Sequence, residues 1–228
     1  MKRVVWSFLL AGTLLVSSCG KDPVEELPPP ETPQEMDTVH KGPVAVFIGD
    51  SITWQWNREG VGHPAFFTSN KYTNKGISGN KTTDMLGRFQ ADVIDLDPHC
   101  VVIEGGTNDV AAYPLDEILA RLKKMAKMAQ DAGIPVIVGA VPPSNSFPKL
   151  PDFRPQDVIP VLNGMIKGWA DTEGISYADY YSVLVDDAQG LKKAYQKDSI
   201  HPNAEGYTEM EKVIQPIVKK VLSDNAKK

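Results

Sequence analysis

Four short polar motifs in the sequence carry side chains that could act together in acyl transfer. They are GDSIT at 49–53, NKGISGN at 74–80, GGTND at 105–109 and DSIHPN at 198–203. Acyl transfer needs a nucleophile, a general base, a group that orients the base, and donors for the developing oxyanion. Each motif alone is weak evidence, because Gly, Ser, Asp and Asn are common turn residues. Together the motifs contain every residue type that this chemistry requires.

The roles can be assigned from residue type and spacing. Ser51 is the candidate nucleophile, and His201 is the candidate base that takes its proton. Asp198 precedes His201 by three residues, so a short turn would let its carboxylate hold the other ring nitrogen. The candidate oxyanion donors are the backbone N–H groups of Ser51 and Gly79 and the side-chain amide of Asn108. No metal or organic cofactor is needed for this chemistry, and the four histidines and two cysteines show no zinc-like clustering.

Alternating strands and helices are predicted to position these residues. Short apolar runs indicate strands covered on both faces, and they occur at 44–48, 72–77, 100–103, 135–140 and 175–180. Apolar residues at helical spacing lie between or after them, with Thr82 or Thr83 expected to cap the first of these helices. This alternation predicts an α/β protein, a three-layer α/β/α sandwich with a mostly parallel five-stranded sheet. Ser51, Gly79 and Asn108 each follow a different strand, so they converge at one edge of that sheet.

The four motifs resemble, in order, the signature blocks of the SGNH (GDSL-type) hydrolases. The resemblance extends from Val44 to about Leu222, and Ile52 stands where the family name has Leu. It implies a flavodoxin-like fold and a serine esterase that uses Ser51, His201 and Asp198, with Ser51, Gly79 and Asn108 around the oxyanion.

The first forty residues indicate where in the cell the protein is located. Lys2 and Arg3, an apolar run and Cys19 after small residues resemble a lipoprotein signal peptide at 1–19, with Cys19 as the lipidated residue. The stretch 20–42 is rich in Pro and acidic residues and is predicted to be an extended tether. The hydrolase domain is then expected at 43–228. These features predict an exported, membrane-anchored lipoprotein at the outer-membrane cell surface or in the periplasm.

The substrate is less defined than the chemistry. No long apolar lid segment is present, and Trp54 and Trp56 lie close to Ser51. A tethered protein of this kind suits O-acetyl groups on carbohydrates, and the resemblance includes carbohydrate O-acetylesterases and platelet-activating-factor acetylhydrolase-like members. A lysophospholipase or thioesterase-type acylhydrolase and a non-catalytic carbohydrate-binding protein are the alternatives.

Five further residues are candidates for substrate binding: Asp50, Trp54, His63, Ser144 and Arg154. Asp50 is also suited to organising the turn before Ser51, and Trp54 is equally compatible with a place in the core. Ser144 would belong to a wall of the site, and Arg154 would contact an acidic substrate.

The net charge and the cysteine positions limit which binding partners are expected. The net charge is −5, and the sequence contains no basic stripe that would indicate nucleic-acid binding. Cys100 lies within an apolar run and is expected to be a buried, inert thiol. The expected partners are a small-molecule or glycan ester as substrate and a membrane reached only through the N-terminal lipid.

Overall fold

The computed structural model describes residues 40–227, so the predicted signal peptide, Cys19 and most of the predicted tether lie outside the described residues. The strands of this part are β1 (Ala45–Gly49), β2 (Tyr72–Gly76), β3 (Val101–Ile103), β4 (Val136–Gly139) and β5 (Ser176–Ala178). Its α-helices are α1 (Ser51–Trp56), α2 (Pro64–Ser69), α3 (Thr82–Asp92), α4 (Leu115–Asp131), α5 (Pro155–Glu173), α6 (Tyr180–Leu184) and α7 (Ala204–Asn225). Two short 3₁₀ turns lie at Ile94–Leu96 and Lys193–Tyr195.

The strands form one parallel sheet in the order β2-β1-β3-β4-β5. From β1 the chain first moves outward to β2 and then returns to place β3 on the other side of β1. This reversal makes a crevice at the carboxyl ends of β1 and β3, which is where open α/β sheets bind ligands. The fold thus brings the residues that follow these two strands to one place.

Two apolar cores cover the two faces of the sheet. In β1, Val46 and Ile48 face a core formed with α3, α4 and α5, whereas Ala45 and Phe47 face a core formed with α1, α2, α6 and α7. The alternation follows from the two-residue period of a strand. All five residues of β1 are buried, which explains why its sequence lacks polar alternation.

The second core is mainly aromatic. The ring of Phe47 lies 5.3–6.0 Å from the rings of Trp56, Phe66, Phe67 and Tyr72. Edge-to-face aromatic pairs each add about 0.5–1.5 kcal/mol beyond the area they bury. This cluster therefore fixes the short helices α1 and α2, which are too brief to be stable alone.

The predicted fold class is confirmed, with strands within two residues of their expected bounds. One local expectation was wrong: Thr82 is the first residue of α3 rather than its cap, and its N–H and hydroxyl are both bound by Asp109. The short helices α1, α2 and α6 were not predicted. Within residues 40–227, no helix is both long enough and apolar enough to cross a membrane.

Residues 40–42, which the sequence analysis assigned to the tether, are packed against the domain. His40 is buried, and its Nδ1 lies 2.6 Å from Asp97 Oδ1 while its Nε2 lies 3.2 Å from the Gly133 carbonyl oxygen. The backbone N–H of Lys41 donates to Asp97 Oδ2 at 3.0 Å. The packed part of the chain therefore includes His40.

The side chain of Asn163 joins α5 to the segment that follows β4. This side chain is buried, accepts from the N–H of Val141 at 2.8 Å and donates to the Val141 carbonyl at 2.8 Å. We expect Asn163→Ala to lower the free energy of unfolding by about 2–4 kcal/mol, because two buried backbone groups lose their partner. Urea unfolding would measure the loss.

The matched control is Val161→Ala on the same helix, where the side chain is 54% exposed. It should change the free energy of unfolding by no more than about 0.5 kcal/mol. Equal effects of the two substitutions would show that the Asn163 contacts do not stabilise the fold.

Candidate active site

Ser51 lies at the sharp junction between β1 and α1. Asp50 caps α1 by accepting from the N–H of Ile52 at 2.8 Å, and Ser51 is the first helical residue. Gly49 is required on steric grounds, because a Cβ there would overlap the Thr53 side chain and come within 2.8 Å of the Glu104 carbonyl oxygen. Ser51 is 7% exposed, so the turn leaves it in a sheltered position.

The structure brings Ser51, His201 and Asp198 together. Ser51 Oγ lies 2.9 Å from His201 Nε2, across 150 positions of sequence. On the other side of the ring, His201 Nδ1 lies 2.9 Å from Asp198 Oδ2 and 3.0 Å from Oδ1. With its proton on Nδ1, the ring donates to Asp198 and leaves Nε2 to accept the Ser51 hydroxyl proton. This is the geometry of a nucleophile, a base and an orienting carboxylate.

Backbone amides just after Asp198 in the chain also hold its carboxylate in place. Its Oδ1 accepts from the N–H groups of Ile200 at 2.8 Å and His201 at 2.9 Å. Partial burial alone would raise the pKa of Asp198, but these amides and the His201 ring together lower that pKa below its ordinary value. Asp198 is thus kept ionised beside the ring that it orients.

The three candidate oxyanion donors lie at the start of α1 and on the two loops after β2 and β3, and hydrogen bonds join these segments. Asn108 Nδ2 donates to the Asn80 carbonyl at 2.9 Å and lies 3.4 Å from Asp50 Oδ2. The N–H of Ile77 donates to the Gly49 carbonyl, so the turn with Gly79 runs beside the end of β1. Gly79 has a φ of 80°, which favours glycine although a Cβ would meet no neighbouring atom.

Arg88 and Asp109 support this arrangement, and sequence reasoning did not assign them these roles. Arg88 Nη2 donates to the Gly49 carbonyl at 2.9 Å, and its Nε donates to Asn80 Oδ1 at 2.8 Å. Asp109 is fully buried and accepts from the N–H and the hydroxyl of Thr82. The position of Asp109 within the GGTND motif is a usable signal, whereas no spacing in the sequence indicates the bond from Arg88 to the Gly49 carbonyl, 39 positions away.

Two carboxyl groups lie buried beneath the serine. Burial raises the pKa of Asp50 to about 7; the Ile52 amide opposes this rise and the charge of Asp109 adds to it. Burial, reinforced by the charge of Asp50, also raises the pKa of Glu104 well above its ordinary value. Glu104 Oε2 accepts from the Thr53 hydroxyl at 3.2 Å. A neutral Glu104 avoids the large cost of placing a second charge beside Asp50.

The other candidate substrate-binding residues are spread over the domain. The partly buried Trp54 ring is covered by Arg58, whose guanidinium carbon lies 3.9 Å from the ring centroid. His63 Nδ1 lies 2.8 Å from Glu211 of α7. Ser144 is fully buried, with no hydrogen-bond partner for its Oγ within residues 40–227. Arg154 is exposed and pairs with Asp157 at 2.8 Å. None of these contacts involves Ser51, His201 or Asp198, so a role of the four residues in substrate binding stays a prediction.

A cavity of about 410 Å³ lies beside Asn108, between the loop after β3 and the segment 147–150. Ile200, the residue before His201, forms part of its wall. No motif in the sequence indicates this cavity. Within the part of the chain that the structure describes, no group of three or more His, Cys, Asp and Glu side chains is arranged to hold a metal ion.

Comparison with known proteins identifies the family. The model of the GDSL-like lipase/acylhydrolase family matches residues 47–208, so the chain belongs to this family and the resemblance to SGNH hydrolases is confirmed. It is accordingly an ester-hydrolysing enzyme. A search of curated proteins gave no match.

Solved structures agree with this assignment. A protein from Bacteroides fragilis assigned as an acylhydrolase is 39% identical, with a TM-score of 0.74, over 78% of this chain and 87% of its own. A GDSL-like lipase from Bacteroides thetaiotaomicron is also 39% identical, with a TM-score of 0.73, over 77% and 87%. An acetylxylan esterase from Geobacillus stearothermophilus is 23% identical, with a TM-score of 0.61, over 79% and 95%. At that identity the likeness shows the fold alone.

The raised pKa of Asp50 predicts a change of stability with pH. The folded protein holds this proton at pH values where the unfolded chain has lost it, so the contribution is present below the ordinary pKa of 3.8 and is lost as pH rises to about 7. Asp50→Asn keeps a capping oxygen and cannot titrate. We expect the stability of this variant, relative to wild type, to improve across that interval by at most about 1.4 kcal/mol per pH unit.

Chemical unfolding at a series of pH values would measure this difference. The matched control is Asp179→Asn, because Asp179 caps α6 in the same way, by accepting from the N–H of Ser182, but near the surface. A difference between Asp50→Asn and wild type that stays constant with pH would contradict the prediction.

Proposed function

We propose that this protein is a serine esterase that works through an acyl-enzyme on Ser51. The observation that carries the proposal is the continuous line of contacts from Ser51 Oγ through the His201 ring to Asp198. Ser51 Oγ attacks the ester carbonyl carbon while its proton passes to His201 Nε2, and the leaving alcohol then takes that proton. Water, deprotonated by the same nitrogen, attacks the acyl-enzyme and restores Ser51.

The negative charge that develops on the carbonyl oxygen needs fixed donors. The backbone N–H groups of Ser51 and Gly79 and the Asn108 amide are proposed for this role. The bond from Asn108 Nδ2 to the Asn80 carbonyl supports it, because this bond holds the amide in place before the substrate arrives. It leaves the second N–H, which makes only a long 3.4 Å contact with Asp50 Oδ2, for the oxyanion. A donor fixed in advance stabilises the transition state without a cost of reorganisation, and each such donor is typically worth about 3–4 kcal/mol.

For the substrate we propose short-chain esters, in particular O-acetyl groups on carbohydrates. The support is the absence of a long apolar lid segment in the sequence, together with the named substrate of the acetylxylan esterase that shares this fold. A second candidate is hydrolysis of longer acyl esters or thioesters, as in lysophospholipases. The apolar cavity beside Asn108 favours it, because an acetyl group would leave most of that cavity unfilled.

A panel of 4-nitrophenyl esters of the same alcohol tests both parts of the proposal. We expect wild-type protein to hydrolyse the acetate faster than the butyrate or the octanoate. Ser51→Ala should lower kcat by at least about 10⁴-fold on each ester, because no other group can form the acyl-enzyme. Circular dichroism should show that this variant remains folded.

The outcomes separate the candidates. A preference for octanoate would favour the second candidate, and turnover by Ser51→Ala at the wild-type rate would exclude Ser51 as the nucleophile.

We also propose that the protein is an exported lipoprotein anchored through Cys19, at the outer-membrane cell surface or in the periplasm. The signal-like stretch at 1–19 and the Pro-rich, acidic stretch at 20–42 support this location. We expect Cys19→Ala to move the protein from the membrane fraction to the soluble fraction, because the acyl chains supply the membrane affinity. Fractionation followed by immunoblotting measures this. Equal membrane association of wild type and variant would contradict the anchor.

A further inference from the structure

The cavity beside Asn108 is apolar along its walls and positively charged at two positions. Its apolar side chains include Ala111, Phe147, Leu150 and Ile200, and Lys81 and Lys149 also line it. The residues that line this cavity include no acid. The cavity therefore combines an apolar surface with a local positive charge, in a chain whose net charge is −5.

The wall formed by residues 147–150 is held in place rather than left loose. The rings of Phe147 and Phe153 stack with centroids 5.4 Å apart. Just before this segment, the N–H of Asn145 donates to the Ser199 carbonyl at 2.7 Å, and Asn145 Nδ2 donates to Gln196 Oε1 at 2.8 Å. The cavity wall is thereby tied to the segment that carries Asp198 and His201. A wall that is already ordered can bind a substrate group without the entropic cost of ordering the wall first.

Neither lysine is held at contact distance by an acid, although the charge of Lys81 also acts on the buried carboxyl of Asp109. No carboxylate of residues 40–227 forms an ion pair with Lys81 or Lys149, whereas Lys127, Lys167 and Lys220 each pair with an acid four residues away. The Lys81 ammonium lies 5.3 Å from the centroid of the Tyr113 ring, a contact that does not cancel its charge. These two ammonium groups are therefore available to a negatively charged group in the cavity.

Exposed apolar side chains also border this region. Leu150 is 45% exposed, and Ile77, two residues before Gly79, is 44% exposed. Leu150 lines the cavity, and Ile77 lies within the NKGISGN motif that also contains Gly79.

We infer that this cavity binds an ester whose apolar body carries an anionic group, with the body against Leu150 and Ile200 and the anion at Lys81 and Lys149. This inference rests on the proposed function, because it adds a substrate class to the same site. The anionic group belongs to either the acyl part or the alcohol part of the ester. The chemistry of recognition is the same in both cases.

Two matched pairs of esters test the inference with the full-length protein. The first pair differs on the acyl side, 4-nitrophenyl hydrogen glutarate against its neutral methyl ester. The second pair differs on the alcohol side, 4-carboxyphenyl acetate against its methyl ester. After correction for the rate of hydroxide hydrolysis, we expect kcat/KM to favour the anionic member of one pair by about 5-fold to 10-fold, the gain expected from two partly exposed charge contacts.

The double substitution Lys81→Gln and Lys149→Gln should reduce that ratio to near one, and added salt should reduce it in wild type. The matched control is Lys123→Gln with Lys124→Gln, which removes the same charge from a different hollow lined by Trp169 and Ile175. The control should keep the wild-type ratio. No preference within either pair, or a preference that survives the Lys81 and Lys149 substitutions, would overturn the inference.

Binding to the Ser51→Ala variant separates this inference from the proposed function. The probes are 4-phenylbutanoate and its neutral amide, followed by chemical-shift titration, so no turnover is required. Tighter binding of the carboxylate, lost on substitution of Lys81 and Lys149, would support the subsite even if neither ester pair were hydrolysed. Equal binding of the two probes would overturn it even if simple acetate esters were hydrolysed.

Discussion

The arrangement depends on holding Ser51 and His201 within 2.9 Å of each other, although they come from opposite ends of the domain sequence. Helix α1 packs against α7 and against the segment that precedes α7, and this packing keeps the two side chains close together. The Tyr207 hydroxyl donates to the Ile52 carbonyl at 2.9 Å, and Lys197 Nζ donates to Gln55 Oε1 at 2.8 Å. Both contacts lie close to one of the two reacting side chains, so a small shift of either helix would alter the distance between them.

A polar network fixes the other side of the site. Arg88, Asn108 and Asp109 join the ends of β1 and β2, the loop after β3 and the start of α3 through hydrogen bonds. Such networks are valuable only when their members are satisfied, because a buried group without a partner is costly in a low dielectric. The network therefore holds the candidate oxyanion donors in a fixed position. The apolar cores alone could not specify that position to a fraction of an ångström.

The fold was largely predictable from the sequence, because its strongest signals are local. The run from Val44 to Ile48 indicates a strand covered on both faces, and β1 is buried throughout. The motifs that follow three of the strands also predict that Ser51, Gly79 and Asn108 lie at one edge of the sheet. The short helix α1 was missed because six residues are too few to show a helical period.

The supporting contacts could not be predicted in the same way. Asn163 lies on the apolar face of α5, where a polar residue signals a buried partner, but only the structure identifies Val141 as that partner. Arg88 and the cavity beside Asn108 depend on loops that meet only after folding, so no spacing in the sequence reveals them. Sequence motifs thus locate the reacting groups, whereas the structure alone reveals what surrounds and supports them.

The position of α7 also bears on the order of biosynthesis. Of the described elements this helix is synthesised last, and it supplies Tyr207, Met210, Ile214 and Val218 to the aromatic side of the core. Until residues 198–225 have been made, the nascent chain lacks both His201 and the packing surface that holds α1. The growing polypeptide is therefore unable to assemble the candidate active site around Ser51 before this stretch has been made.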